Sequence, residues 1–263
     1  MPTQLDTILA HTRQQVNARK TAADIALLER KAEQHTPRGF TRHLREKAQT
    51  GPAVIAEIKK ASPSRGLIRS DFDPAALARG FELAGAAALS VLTDEEFFQG
   101  SLAYLEHASR EVRIPCLRKD FILDSFQILE ARAFGADAIL LIVSAHTDND
   151  LTSLRDAADR MGLDALCETH DREEMERAVG LGFSLIGVNS RDLRTFSVRT
   201  EVLEELAAWM PKDAVMVAES GIRTAEDIGR LRGFGYHAFL VGEALMREPD
   251  PGVGLAALLG RDQ

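Results

Sequence analysis

The stretch that decides the fold is residues 115–143, which read PCLRKDFILDSFQILEARAFGADAILLIV. It begins with a short apolar run and ends with DAILLIV, in which the uninterrupted apolar run AILLIV follows Asp137. Between them, SFQILEARAFG has apolar residues at helical spacing and ends on Gly135, a residue type common just past helix C-termini. The two apolar runs predict buried strands on either side of a helix, and this order predicts a parallel βαβ unit.

The same alternation of strand and helix continues along the chain in both directions. Eight strands are predicted, and they begin near Ala53, Ala88, Pro115, Asp137, Leu163, Ser184, Ala214 and His237. Helical patterns follow several of them and close on glycines, namely Gly85, Gly135 and Gly182. Strict alternation predicts a parallel sheet covered by helices, and eight units predict that the sheet closes into a barrel.

An open, doubly wound sheet is the alternative, and it usually has fewer strands and a glycine-rich nucleotide motif. GFGYHA at 233–238 fits such a motif but follows a helix and enters a strand, which is the reverse of the required order. GVGLAA at 252–257 lies too near the C-terminus for a βαβ unit. We therefore predict a (β/α)8 TIM barrel over 51–263 with an N-terminal helical extension over 1–50, together forming one domain of 1–263. The extension is predicted to pack over one mouth of the barrel.

Composition argues against several functional classes. The formal net charge is −8 and hydrophobic residues make up 45%, which is typical of a soluble globular protein. The cations are scattered rather than clustered, so nucleic acid binding is not expected. The N-terminus lacks a signal-like apolar region and no apolar run approaches the ~18 residues of a membrane span, so we expect a cytoplasmic protein with no membrane partner. The sequence leaves the oligomeric state open, a monomer included.

Polar side chains end almost every predicted strand, and the C-terminal strand ends are where TIM barrels carry catalytic residues. Glu57 and Lys59 are two residues apart and share one face of the first strand, while Lys119 and Glu168 end the third and fifth strands. If these faces line the barrel, two lysines and two glutamates meet in one space. Two ion pairs that cap the barrel core are the structural alternative. Because burying so many charges is costly, their convergence favours a catalytic function.

A phosphate site is predicted at the loops after the seventh and eighth strands, where TIM barrels often bind phosphate. These loops contain Ser220-Gly221 and Gly242-Glu243, and glycine lets backbone N–H groups approach an anion closely. The loop after the first strand, residues 61–66, adds hydroxyls and a cation, and its proline and glycine content is typical of a mobile lid. A Ser-Gly pair alone is usually only a turn, and its position in the barrel is what favours an anion site.

The remaining candidates are weaker. Phe98 and Phe121 follow the second and third strands, where they either pack beneath the loops or line a pocket for an aromatic ligand. His107, His146 and His170 have no metal-ligand spacing and are predicted to lie on the surface of helices or loops, so no metal site is expected.

Seven segments resemble motifs of the indole-3-glycerol-phosphate synthase family in the family's order: AVIAEIKKASPSRG, SVLTDEEFFQGS, LRKDFILDSFQI, GADAILLIV, IGVNSRDLRTF, VAESGI and FLVGEALM. The resemblance extends from about residue 4 to about residue 259. The EIKKxSPS and FFQGS motifs are not shared by other phosphate-binding barrels. The chain departs from the family at Cys167, Thr169 and Ser190, which flank the matched positions and therefore affect packing more than mechanism.

The resemblance implies a carboxy-lyase of tryptophan biosynthesis that uses no cofactor and no metal. Its substrate would be the small molecule 1-(2-carboxyphenylamino)-1-deoxyribulose 5-phosphate, which undergoes ring closure, decarboxylation and dehydration to indole-3-glycerol phosphate. By resemblance the catalytic set is Glu57, Lys59, Lys119, Glu168, Asn189 and Ser220. Lys119 would protonate the ketone oxygen, and Glu57 and Glu168 would serve the dehydration, with the acid and base roles left open between them.

By resemblance the substrate-binding set is Ser62, Phe98, Phe121, Arg191, Leu193, Glu219, Gly221, Gly242 and Glu243. The two phenylalanines and Leu193 would hold the anthranilate ring, and Arg191 would contact a carboxylate or hydroxyl. The phosphate would be held by Ser62, Gly221, Gly242 and Glu243, and Glu243 would contribute its backbone N–H. Glu219 and Ser220 would complete a polar rim.

Two other functions compete with this one. Phosphoribosylanthranilate isomerase is a related barrel that would rely on a Cys/Asp pair and lacks a long N-terminal extension. Strand alternation predicts that Cys116 and Cys167 face the helices, as buried and reduced thiols, which argues against that function. A non-catalytic phosphosugar-binding barrel is the third possibility, and the full set of acid–base side chains argues against it.

Overall fold

The computed structural model describes residues 3–261 of the chain. Eight parallel strands form a closed barrel in which each strand pairs with the next along the chain and the last pairs with the first. The strands are β1 (Ala53–Ile58), β2 (Ala88–Leu92), β3 (Cys116–Lys119), β4 (Ala138–Ile142), β5 (Asp164–Thr169), β6 (Leu185–Asn189), β7 (Val215–Glu219) and β8 (Ala238–Val241). The predicted barrel is confirmed, and every predicted strand start agrees within one residue.

Helices connect and surround these strands. They are α1 (Gln4–Ala22), α2 (Ile25–Gln34), α3 (Phe40–Thr50), α4 (Pro74–Ala84), α5 (Glu95–Phe98), α6 (Leu102–Glu111), α7 (Ser125–Ala133), α8 (Asp148–Arg160), α9 (Arg172–Gly180), α10 (Glu201–Glu205), α11 (Ala225–Gly233), α12 (Glu243–Met246) and α13 (Pro251–Leu258). Short antiparallel strands Ala61–Ser62 and Gly66–Leu67 form a hairpin in the loop after β1. Within residues 3–261, no helix is both long and apolar enough to cross a membrane.

Local sequence explains where a typical barrel helix begins and ends. The carboxylate of Asp73 accepts hydrogen bonds from the backbone N–H groups of Ala75 and Ala76, which caps α4, and Pro74 occupies the first turn. The helix ends at Gly85, whose φ of 101° lies in the left-handed region that a Cβ disfavours. The segment 233–238 leads from α11 into β8, so its glycine pattern is a helix–strand connection, as predicted.

Strand alternation divides the apolar core into two parts. Ile55, Leu117 and Leu166 belong to the cluster inside the barrel, on the same strand faces as the predicted catalytic residues. Cys116 and Cys167 are buried free thiols in the second cluster, which lies between the strands and the surrounding helices. The predicted orientation of both cysteines is therefore confirmed.

The N-terminal extension reaches both ends of the barrel, so the prediction of one covered mouth was incomplete. At the N-terminal end, α3 contacts β1, β2 and β7, and it buries Phe40 and Leu44 completely. At the C-terminal end, His11 of α1 packs edge-on against Phe97 with ring centroids 5.5 Å apart. Ile8 of α1 is buried in the cluster that also includes apolar residues of the C-terminal loops. The N-terminal sequence pattern predicts the helices themselves. Which end of the barrel each helix covers depends on the direction that the chain takes after each turn, and a helical pattern does not contain that direction.

Candidate active site

A cavity of about 970 Å³ opens at the C-terminal ends of the strands. Every residue in the predicted catalytic and substrate-binding sets lines it: Glu57, Lys59, Ser62, Phe98, Lys119, Phe121, Glu168, Asn189, Arg191, Leu193, Glu219, Ser220, Gly221, Gly242 and Glu243. The strand register explains this convergence, since parallel strands in a closed barrel bring their C-terminal ends to one mouth.

Glu57 and Lys59 form the first ion pair on the cavity floor. Lys59 Nζ donates to Glu57 Oε1 at 2.6 Å, and Ser90 Oγ donates to Glu57 Oε2 at 3.4 Å. Burial raises the pKa of Glu57, but the positive charges of Lys59 and Lys119 lower it by more, so the net shift is downward. Glu57 is therefore an ionised carboxylate next to a cation.

Lys119 lies between two buried glutamates. Its Nζ donates to Glu168 Oε2 at 3.0 Å and to Glu219 Oε2 at 3.2 Å. Burial lowers the pKa of Lys119, but the charges of Glu168 and Glu219 raise it by more, so the net pKa lies above its usual value. Lys119 is therefore a cation at neutral pH and can donate a proton or a hydrogen bond to a substrate oxygen.

The two glutamates beside Lys119 differ in protonation. Burial raises the pKa of Glu168, but the positive charges of Lys119 and His170 lower it by more. The net pKa is therefore below its usual value, and this carboxylate is ionised. Burial also raises the pKa of Glu219, and the charge of Lys119 offsets only part of that rise. The nearby Glu168 raises it again, so that the pKa of Glu219 is about 8. Glu219 Oε1 has no hydrogen-bond partner among the described residues. Of the two carboxyl groups beside Lys119, Glu219 is therefore the one that takes up a proton first as pH falls.

The position of Glu219 differs from the predicted one. The resemblance placed it on a polar rim, but it is 1% exposed and lies on the cavity floor. The alternation that located Glu57 also applies here, because Val215 and Val217 face the barrel interior and Glu219 is the next residue on that face.

His170 is not on the surface, contrary to the sequence prediction. Its side chain is 14% exposed, and its Nε2 lies 3.3 Å from Glu168 Oε1. Because His170 is two residues beyond Glu168, strand alternation extended by one step would have placed it on the inward face. His107 on α6 is exposed, as predicted, and His146 is partly buried.

The rim after β7 and β8 combines tight turns with cations. Ser220 and Gly221 have φ values of 68° and 76°, and this turn is held by Ser190 Oγ, which donates to the carbonyl oxygen of Ser220 at 3.1 Å. Gly242 is the residue directly before α12, which begins at Glu243. An anion at this rim would face backbone N–H groups and the positive end of a short helix.

Three arginines surround the Glu243 carboxylate at the same rim. Arg65 from the loop after β1 lies 3.1 Å from Oε1, Arg247 lies 3.2 Å from Oε1, and Arg191 lies 3.7 Å from Oε2. Arg247 is not among the sequence candidates, because it follows Glu243 by one helical turn and no motif marks it. The rim therefore holds enough positive charge to bind a substrate anion that the acidic chain as a whole repels.

Part of the cavity wall is apolar. The rings of Phe98 and Phe121 lie 6.4 Å apart between centroids at an angle of 39°, and Leu193 lines the same cavity. Residues of α1 belong to the apolar cluster against which Phe98 and Leu193 pack, so the extension supports this wall. An aryl group could lie here with its polar end toward the floor.

Two glycines make room for the floor carboxylates. A Cβ on Gly187 of β6 would overlap Glu219 Oε1, and a Cβ on Gly242 would overlap Glu57 Oε1. Neither glycine has a positive φ, so their small size, rather than backbone freedom, is what the site requires.

Gly187→Ala is expected to lower kcat at least ~10-fold, because the new methyl group forces the Glu219 carboxylate away from Lys119. Steady-state kinetics on the purified variant measure this effect. Gly229→Ala is the matched control, since a Cβ there would contact nothing within 4 Å and an exposed helix tolerates alanine well. Equal rates for the two variants would contradict the proposed close packing around Glu219.

Fold and site together define a TIM barrel with a cluster of acid–base side chains in the cavity at its C-terminal mouth. The family model described as indole-3-glycerol phosphate synthase matches residues 5–258. The chain is 60% identical over 260 residues to the indole-3-glycerol phosphate synthase of Koribacter versatilis (strain Ellin345), with 99% of this chain and 100% of that protein covered. The chain therefore belongs to the indole-3-glycerol phosphate synthase family, whose members are carboxy-lyases of tryptophan biosynthesis.

Solved structures of low sequence identity share the fold alone. A mandelate oxidase variant is 18% identical with a TM-score of 0.61, covering 91% of this chain and 92% of that chain. The N-acetylmannosamine-6-phosphate 2-epimerase of Clostridium perfringens is 17% identical with a TM-score of 0.58, covering 73% and 86%.

Proposed function

We propose that this cavity converts 1-(2-carboxyphenylamino)-1-deoxyribulose 5-phosphate to indole-3-glycerol phosphate, with Lys119 as the general acid. The observation that carries the proposal is the position of Lys119, a partly buried cation held by Glu168 and Glu219 in a cavity that also has an apolar wall and a cationic rim. This arrangement matches a substrate with an aryl group at one end and a phosphate at the other.

The substrate would span the cavity from rim to wall. Its phosphate would bind at the turn of Ser220 and Gly221 and near Gly242, with Ser62 and Arg65 approaching from the loop after β1. Its anthranilate ring would pack against the apolar wall formed by Phe98, Phe121 and Leu193. Binding both ends would place the ketone over Lys119, so that binding energy orients the reacting atoms.

The proposed first step joins the carboxylate-bearing ring carbon to the ketone carbon. The electron pair of the carbonyl bond moves to oxygen, which takes a proton from Lys119, and this donation offsets the charge that develops there. The bond to the carboxylate then breaks, carbon dioxide leaves, and its electron pair restores the aromatic ring. Asn189 and Lys59 would orient the polar groups during this step.

The proposed second step is loss of water. The hydroxyl leaves with a proton from an acid, and a carbon-bound proton passes to a base. Glu168 and Glu57 are both ionised and can accept that proton, while Glu219, whose pKa is raised, is the carboxyl group best able to hold and donate one. One proton is consumed overall, because the lost carboxylate carried a negative charge, and solvent returns it to the cluster.

We propose further that residues 1–263 act as one TIM-barrel domain in which 1–50 support the site, and that the protein is cytoplasmic. Its proposed partner is the small phosphorylated substrate alone, with no nucleic acid or membrane partner. Independence of cofactors and metals stays a prediction.

The direct test supplies the carboxyphenylamino-deoxyribulose phosphate and follows indole absorbance. We expect turnover that EDTA does not change, because the proposed steps use side chains only. Activity that a chelator abolishes and zinc restores would overturn the metal-free mechanism, and complete inactivity would overturn the function. Both cysteines face the helices, which argues against the isomerase alternative.

Inorganic phosphate is expected to inhibit competitively, because it would occupy the cationic rim. Arg65→Gln should raise both the substrate KM and the inhibition constant of phosphate about 5-fold, since one partly exposed cation is removed. Initial rates over a matrix of substrate and phosphate concentrations at constant ionic strength measure both constants. Arg110→Gln on the exposed face of α6 is the control. Non-competitive inhibition would place the phosphate site elsewhere.

A further inference from the structure

His170 connects the catalytic cluster to a second, smaller cavity. It follows Thr169, the last residue of β5, and its side chain is 14% exposed. The second cavity, of about 350 Å³, is lined by His170 and Glu174 together with the N-terminal end of α1 and the loop after β6. Asn189 and Leu193 line both cavities, so His170 lies directly behind the wall of the proposed active site.

Both ring nitrogens of His170 face carboxylates. Nε2 lies 3.3 Å from Glu168 Oε1, and Nδ1 lies 3.0 Å from Glu174 Oε2. Glu174 Oε2 also accepts the backbone N–H of His170 at 2.8 Å, which fixes the ring relative to α9. Nδ1 is hydrogen-bonded to Glu174, whereas Nε2 is at ion-pair distance from Glu168 but outside hydrogen-bond geometry. Carboxylates beside both nitrogens favour the charged imidazolium, because its positive charge is attracted to each of them.

The charges around the ring are mostly negative. Besides Glu168 and Glu174, the charged residues that line its cavity are Asp6 on α1, Asp171 before α9, and Asp192, Arg194 and Arg199 in the loop after β6. Burial lowers the pKa of His170, but Glu168 and Glu174 raise it by more, to about 10. Geometry and surroundings therefore agree on a cationic His170 at neutral pH.

His170 makes the two glutamates beside Lys119, Glu168 and Glu219, differ in their surroundings. Lys119 Nζ is at nearly equal distances from Glu168 and Glu219, 3.0 and 3.2 Å, so Lys119 alone would not distinguish them. Glu168 has a second cation at its other oxygen, whereas Glu219 Oε1 has no partner among residues 3–261. A proton shared by the cluster therefore resides on Glu219.

We propose that His170, held by Glu174, is a positioning residue that keeps Glu168 as the charged base beside Lys119 and leaves Glu219 as the protonated acid. The kinetic part of this inference rests on the proposed function, because it assigns separate acid and base roles in the reaction described above.

The test replaces His170 by Gln, which stays polar but carries no charge. We expect kcat at pH 7 to fall about 10-fold with KM within about 2-fold of wild type. Losing the cation raises the pKa of Glu168, so the acidic limb of the kcat profile should move to higher pH by about one unit. His107→Gln on the exposed face of α6 is the matched control and should change neither quantity.

Glu174→Gln provides a second variant in case His170→Gln does not fold, which circular dichroism and thermal unfolding report. Glu174→Gln should move the acidic limb in the same direction, because it removes one of the two carboxylates that keep the imidazolium charged. A purely structural role for His170 would lower Tm and leave the pH profile of the folded fraction unchanged.

A readout without turnover separates this inference from the proposed function. Titration of carbon-13-labelled glutamate side chains by NMR should show one buried glutamate whose pKa rises when His170 becomes Gln. If wild type forms no indole, the function is wrong, but this titration still tests the charge assignment. Identical titrations and identical pH profiles in wild type and His170→Gln would overturn the inference.

Discussion

Lys119→Met is expected to lower kcat by ~10² or more while the barrel stays folded. Methionine has nearly the length of lysine but can neither donate a proton nor hydrogen-bond a developing negative charge. The ketone oxygen of the proposed substrate would then face two carboxyl groups with no cation between them. Single-turnover and steady-state rates on the purified variant measure the loss.

The fold should survive this change because neither buried glutamate is left as a charge without a partner. Glu168 remains beside His170, and Glu219, whose pKa is already raised, can take up a proton. Lys212→Met, at an exposed position, is the matched control and should keep wild-type kinetics. Near-normal turnover by a correctly folded Lys119→Met enzyme would remove Lys119 from the role of acid.

Asp137→Ala is expected to lower the free energy of unfolding by about 3–5 kcal/mol, because it leaves a buried ion pair without its acid. Asp137 is fully buried at the start of β4. Its carboxylate accepts backbone N–H groups of Arg38 at 2.7 Å and Cys116 at 2.6 Å, and it pairs with the Arg38 guanidinium at 2.6 Å. His35 Nε2 lies 3.2 Å away. One side chain therefore ties the segment between α2 and α3 to two barrel strands.

Chemical denaturation of Asp137→Ala and of Asp159→Ala, an exposed position on α8, measures this loss against a matched control. Burial raises the pKa of Asp137, but hydrogen bonds from His35 and Arg38 lower it by more, so the folded-state pKa lies below its usual value. The contribution of Asp137 to the free energy of unfolding is therefore fully present above the pKa that this residue has in the unfolded chain. It is lost as pH falls through the lower pKa that Asp137 has in the folded protein. Equal unfolding free energies for the two variants would show that the N-terminal extension and the barrel are not coupled here.

Much of the architecture follows from local patterns. Apolar runs such as DAILLIV alternate with helical segments that end on glycines such as Gly85, and each pattern needs only neighbouring residues to be recognised. The inward direction of Lys119 and Glu168 also follows, because side chains alternate along a strand whatever its partners are. Family motifs then identified the cavity residues one by one.

Other properties depend on residues far apart in sequence. Glu219 lies 100 residues from Lys119 along the chain and contacts it only because β3 and β7 face each other across a closed barrel. Whether a buried glutamate is charged depends on how many cations reach it, so Glu168 with two differs from Glu219 with one. Local pattern therefore predicts strands, helices and the inward faces, while the division into acid and base arises from distances and burial that exist only in the folded chain.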